Sequence, residues 1–127
     1  GREIVKRLVA TADVVVANLP AAALKSMGLD YDSLLAIKPD VILATQTAFG
    51  DRGPYAKRGG FDGIGQAMSG AMYITGTPGH PVKAAAPYVD FSTAVLSAFG
   101  VLAALLERGR SGRGQKVDTA LLGTALA

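Results

Sequence analysis

The chain has 127 residues, half of them hydrophobic and 18% charged, so it can bury enough apolar surface to fold and is not an intrinsically disordered segment. Thirteen Lys plus Arg against ten Asp plus Glu leave a formal charge of only +3, too slight by itself to indicate nucleic acid. The absence of Cys and a single His, His80, exclude disulfides, thiolate nucleophiles, Cys-ligated zinc and a helical His pair for a metal, and a Cys-free chain suits a cytoplasmic protein.

The elements alternate along the chain. Gly1 to Ala10 reads as an amphipathic helix, with Ile4, Val5, Leu8 and Val9 on one face. Asp13 to Leu19 is a short β-branched run, apolar on both sides, as a strand covered on both faces of a parallel sheet should be. Ala21 to Met27 is helical by propensity and ends at Gly28, a suitable C-terminal cap. Asp32 to Ile37 makes another short helix, stopped by Pro39. Val41 to Thr47 is a second buried-type strand, and strand, helical connection, strand is the signature of an α/β sheet.

A Gly/Pro-rich loop follows from Phe49 through Gly60. Asp62 to Met72 is predicted helical with Asp62 as its N-cap, and Thr75 to Pro87 is loop. Asp90 opens a long helix from Phe91 to Arg108 that is too apolar to lie on the surface. Its longest apolar stretch, Ala94 to Leu106, falls short of the roughly 20 residues a membrane span needs. Gly109 to Gly114 turns the chain, Gln115 to Asp118 enters as a strand, and a last helix runs from Leu121 to Ala127. The first residues lack the uninterrupted apolar region of a signal peptide. Both ends fall inside helical patterns, so the chain reads as an excerpt of a longer protein.

Chemistry is sparse. Asp90 stands where a helix dipole and free N–H groups favour an ionised carboxylate, and an oriented carboxylate there can be a nucleophile or simply a cap. The glycines around Arg52, Lys57 and Arg58 permit close backbone approach by a phosphate, yet match neither a Walker A loop nor the dinucleotide fingerprint. The basic residues at 52–58 and 108–116 read as solvated turns. Without Gly-x-Ser-x-Gly, and with His80 in a Pro-flanked turn, a serine hydrolase triad has no support.

Across nearly its whole length the sequence resembles the family III CoA-transferases, the CaiB/BaiF group that includes formyl-CoA transferase, carnitine CoA-transferase and α-methylacyl-CoA racemase. The matching stretches are Ala12-Asp13-Val14-Val15-Val16, Met27-Gly28-Leu29-Asp30-Tyr31, Ala48 to Tyr55, Gly60-Phe61-Asp62 with Gln66 to Gly70, Thr75-Gly76, Val89-Asp90, Gly100 to Leu105 and Arg110 to Gln115. The resemblance implies an α/β fold with a Rossmann-like parallel sheet, of which residues 1–127 would be the central part of the large, CoA-binding domain of an interlocked dimer. The N-terminal segment and the small domain would be absent. It implies an enzyme whose nucleophile is Asp90, moving CoA from an acyl-CoA thioester to a carboxylic acid through aspartyl anhydride and aspartyl-CoA intermediates. Acyl-CoA and the acid would be its partners, with no permanent cofactor, no metal, no nucleic acid and no membrane. CoA contacts are implied at Asn18, Leu19, Pro20, Met27, Gly59, Gly60, Phe61 and Asp62.

Racemases of the family carry His-Asp where this chain has Phe61-Asp62, and Phe61 cannot supply a second acid/base. Transfer is therefore favoured over racemisation. The family's Asn-aromatic-Arg-Pro-Gly stretch is replaced by Asn18-Leu19-Pro20-Ala21-Ala22, and its Arg by Ser26. Lys25, Lys57 or Arg58 would have to supply the missing charge; otherwise CoA affinity would be lower, or the chain would be a non-catalytic acyl-CoA-binding subunit of a hetero-oligomer, a reading that Asp90 opposes.

Overall fold

The computed structural model describes residues 1–127. In chain order the elements are α1 (Arg2–Thr11), β1 (Val14–Ala17), α2 (Ala21–Met27), α3 (Tyr31–Leu35), β2 (Ile42–Thr47), α4 (Asp62–Met68), α5 (Ala71–Thr75), α6 (Tyr88–Ser111), β3 (Lys116–Ala120) and α7 (Leu121–Leu126). The β-branched run of β1, the aliphatic run of β2 and the more polar β3 lie side by side in one parallel sheet of order β1-β2-β3. Val15 is opposite Leu43, which is in turn opposite Lys116. The chain is an α/β unit, as its alternating elements indicate.

Because side chains alternate across a strand, each face of the sheet has its own cover. On one face Val9 of α1 and Leu34 of α3 bury against Val41 and Leu43, with Val15, Tyr31 and Ile37 packed around them. The opposite face lies under α6, which approaches closely enough that a Cβ on Gly100 would stand 2.8 Å from Val117 Cγ1. At the far end of α6, the Arg108 guanidinium binds the Asp13 carboxylate at 2.9 Å and the Asp40 carbonyl at 3.2 Å. Asp13 directly precedes β1 and Asp40 lies two residues before β2. The helix, about 36 Å long at 1.5 Å per residue, therefore runs from the carboxyl end of the sheet to its amino end.

Four expectations are corrected. The helix foreseen from Asp62 to Met72 breaks at Gly70, whose φ of +85° lies in the left-handed region, so α4 and α5 are separate. Asp62 does not cap its own helix: Phe61 occupies the N-cap and Asp62 is the first helical residue. Asp90 does not open α6 but is its third residue, because the chain turns helical directly after Pro87. The outer face of α6 is not buried either. Val89, Thr93, Ser97 and Ala104 form its buried stripe, while Phe91, Val95, Phe99, Leu102 and Leu106 are all more than 60% exposed. Three strands and α7 are wide enough to cover one stripe only. By length and composition α6 would also suffice to cross a membrane, although its inner stripe carries Thr93, which donates to Thr124 of α7 at 2.9 Å.

Candidate active site

The carboxyl ends of the three strands converge on a cleft of about 620 Å³. Asn18 and Pro20 reach it just after β1, Thr47 and Ala48 at the end of β2, and Leu121 after β3. Parallel α/β sheets bind ligands at this end, where loops leave the strands. The loop between β2 and α4 contributes Arg58, Gly59, Gly60 and Phe61, and α6 contributes Asp90 from its first turn. Arg58 is the one cationic residue lining the cleft. Its guanidinium lies 4.6 Å from the centre of the Tyr55 ring, a cation–π contact that restrains the loop, and Tyr55 in turn packs against Phe49.

Asp90 is half-buried, and neither a hydrogen bond nor an ion pair within the chain occupies its carboxylate. The reason lies in α4. Asp62, only 3% exposed, sends its carboxylate to the start of α6, where Oδ2 accepts from the Val89 N–H at 2.9 Å and the Asp90 N–H at 3.3 Å. These are the amide groups an N-cap side chain normally satisfies, and Pro87, at the cap position, has no side-chain acceptor. Oδ1 of Asp62 accepts from Gln66 Nε2 and lies 3.5 Å from Lys83 Nζ. The cap is thus supplied from a neighbouring helix, and the oxygens of Asp90 remain free at the positive end of the α6 dipole.

The structure gathers most of the anticipated contact residues. Asn18, Pro20, Gly59, Gly60 and Phe61 share the cleft with Asp90, and Phe61 is 82% exposed at its rim. Leu19 points instead into an adjoining cavity of about 80 Å³, also lined by Asp51, Lys116 and Asp118. Met27 lines neither cavity, and Asp62 lies beneath the cleft wall with its oxygens engaged. Of the candidate cations, Arg58 reaches the cleft, while Lys25 and Lys57 do not. Gln66 was matched in sequence without a role. It is fully buried, and its Oε1 accepts from the Ala84 N–H at 2.9 Å, fastening the loop that precedes α6. Only its place one turn after Asp62 hinted at this.

The basic bunches are partly spent within the fold. Arg108 pairs with Asp13 and Asp40, and Lys116 Nζ lies 2.6 Å from Asp51 Oδ2. The hydrogen bond from Lys116 holds the Asp51 carboxyl below the usual carboxylate range. Its stabilisation is therefore present above the unfolded value near pH 4 and is lost as pH falls through the lower folded value. Lys116→Met in the full-length protein is expected to lower stability at pH 7 by about 0.5–1 kcal/mol, the pair being partly exposed. Urea midpoints at pH 7 and below pH 4 check this, the difference from wild type shrinking toward acid.

The family model described as CoA-transferase family III matches residues 1–127. The chain is 47% identical over 123 residues to the succinate–glutarate CoA-transferase of Agrobacterium fabrum, covering 96% of this chain and 31% of that protein. It is 38% identical to the succinyl-CoA–L-malate CoA-transferase beta subunit of Chloroflexus aurantiacus, covering 95% of this chain and 30% of that one. A crystal structure of a CaiB/BaiF family protein from Brucella suis superposes with a TM-score of 0.95 at 44% identity, over 99% of this chain and 34% of that one. The chain therefore spans about a third of the length of these relatives.

Proposed function

Since this chain belongs to CoA-transferase family III, we propose that the full-length protein moves CoA from an acyl-CoA thioester to a carboxylic acid, with Asp90 as the nucleophile. The observation that carries this reading is the free Asp90 carboxylate in the cleft at the sheet's carboxyl end, its capping duty taken by Asp62. An Asp90 oxygen adds to the thioester carbonyl, the C–S bond breaks, and CoA leaves as thiolate with a mixed anhydride on Asp90. The thiolate attacks Cγ of Asp90, releasing the donor acid and leaving an aspartyl-CoA thioester. The acceptor carboxylate attacks that carbon and expels the thiolate again. Thiolate attack on the acceptor's own acyl carbon yields the new acyl-CoA and restores Asp90. No water and no net proton are consumed, and one difficult exchange is divided into easier displacements.

Asn18, Pro20, Gly59, Gly60 and Phe61 in the cleft, with Leu19 in the adjoining cavity, are the proposed CoA contacts, and Arg58 the fixed cation for an anionic group. We read the acids as short dicarboxylates, a class named in the succinate–glutarate and malate relatives. Phe61 at the rim supports transfer over racemisation, which needs a second acid/base. The chain is the centre of the large domain in this reading, and the whole enzyme an interlocked homodimer or, after the beta-subunit relative, half of a hetero-oligomer.

Hydroxylamine trapping tests the reading. The full-length protein is incubated with succinyl-CoA, glutaryl-CoA and other acyl-CoAs, and the Asp90 peptide is weighed by mass spectrometry. An acyl-CoA-dependent hydroxamate at Asp90 is expected. An unmodified peptide from a protein that demonstrably binds CoA would replace the enzyme with a non-catalytic acyl-CoA-binding subunit.

A further inference from the structure

Asp62 is a buried carboxylate that takes no part in the displacement chemistry, and its partners are spread over three segments. Oδ2 holds the first-turn amides of α6 at Val89 and Asp90, and Oδ1 meets Gln66 one turn along α4 and Lys83 in the preceding loop. Gln66 completes the tie through the Ala84 N–H. Every buried polar side-chain atom in this arrangement has a partner. A fully satisfied buried polar network is rigid, and removing its central acceptor would leave the first-turn amides of Val89 and Asp90 without their protein partner.

A self-capping Asp90 would commit its oxygens to its own helix start. A helix start with no cap would leave its first turn free to fray. The chain does neither, because the acceptor comes from 27 and 28 residues upstream.

We propose that Asp62 is a positioning residue for the reaction: by capping α6 from α4 and pinning the 83–84 loop through Lys83 and Gln66, it holds Asp90 in attacking geometry with both carboxylate oxygens free. This rests on the reading of Asp90 as nucleophile. It assigns Asp62 to orientation of the first turn of α6, in place of contact with CoA.

The test compares wild type, Asp62→Ala and Asp62→Asn of the full-length protein in single-turnover formation of the Asp90 adduct. Amplitude counts competent sites and rate reports their geometry. Asp62→Ala is expected to slow adduct formation about 10- to 30-fold at near-full amplitude. Asp62→Asn retains an oxygen for the two amides but turns its NH2 toward Gln66 Nε2 and Lys83 Nζ, so it should recover the rate in part, at least about threefold above the alanine variant. An alanine variant that loses amplitude but keeps its rate overturns the proposal, as does an asparagine variant no faster than alanine. Hydrogen exchange of the wild-type Val89 and Asp90 amides decides the matter even if the alanine chain fails to fold. Strong protection is expected, and exchange as fast as in a frayed helix end overturns the cap. No adduct on wild-type Asp90 would refute the nucleophile itself, whereas a normal wild-type adduct with an unimpaired Asp62→Ala refutes only the positioning role.

Discussion

Asp90→Asn in the full-length protein is expected to abolish CoA transfer, lowering kcat by roughly a thousandfold or more, while acyl-CoA binding persists. The carboxamide is nearly isosteric but is not a nucleophile that can carry an acyl group through an anhydride. The structure makes this substitution unusually clean. Because Asp62, not Asp90, satisfies the first-turn amides of α6, the exchange removes no cap. Only a loss of charge at the positive end of the helix dipole remains, worth about 0.3–1 kcal/mol. Were Asp90 a mere cap, asparagine would serve nearly as well and activity would survive. Steady-state kinetics, equilibrium binding of CoA and a urea midpoint separate the cases. Retention of more than a tenth of kcat would remove Asp90 from the chemistry.

Gly65→Ala should be the second large effect, and here two contributions oppose each other. In the middle of a helix, alanine is favoured over glycine by about 1 kcal/mol. Gly65, however, lies where α4 crosses the first turn of α6, and a Cβ there would stand 2.9 Å from Val89 Cγ1. Val89 is fully buried and β-branched, and its N–H is tied to Asp62, so it cannot swing aside. Overlap should win by about 1–2 kcal/mol of net destabilisation. The strain also pushes directly on the residue before Asp90. A displacement approaching 1 Å is expected to cost up to about 100-fold in kcat with little change in KM for acyl-CoA. A denaturant midpoint and steady-state kinetics check both halves. A variant that is more stable and fully active would show that α4 and α6 have slack between them.

Much of this was legible in the sequence. Runs such as Val41-Ile42-Leu43-Ala44, apolar on both faces, indicate a doubly covered strand whatever surrounds them, and two such runs joined by a helical connection leave a parallel sheet as the economical solution. The glycines and prolines of residues 49–60 mark a loop directly after the second strand, open to close backbone approach. Asp90 stands out because a carboxylate beside so apolar a helix needs a reason. Such features depend on local propensity and periodicity, which a linear chain carries with it.

The assignments that failed are those in which one residue type satisfies two local rules equally. An Asp at the start of a helical pattern reads as that helix's cap, and both Asp62 and Asp90 met the description. Which amides a carboxylate reaches is decided by the crossing of α4 and α6, a contact 27 residues apart that no periodicity encodes. The split at Gly70 and the uncovered outer stripe of α6 are decided the same way, by which neighbours are present to pack. The sequence alone determined the α/β class and singled out Asp90 as a carboxylate that is either a cap or a nucleophile. Tertiary structure decided which carboxylate is bound and which is free, because hydrogen bonds form between groups adjacent in space, whatever their order along the chain.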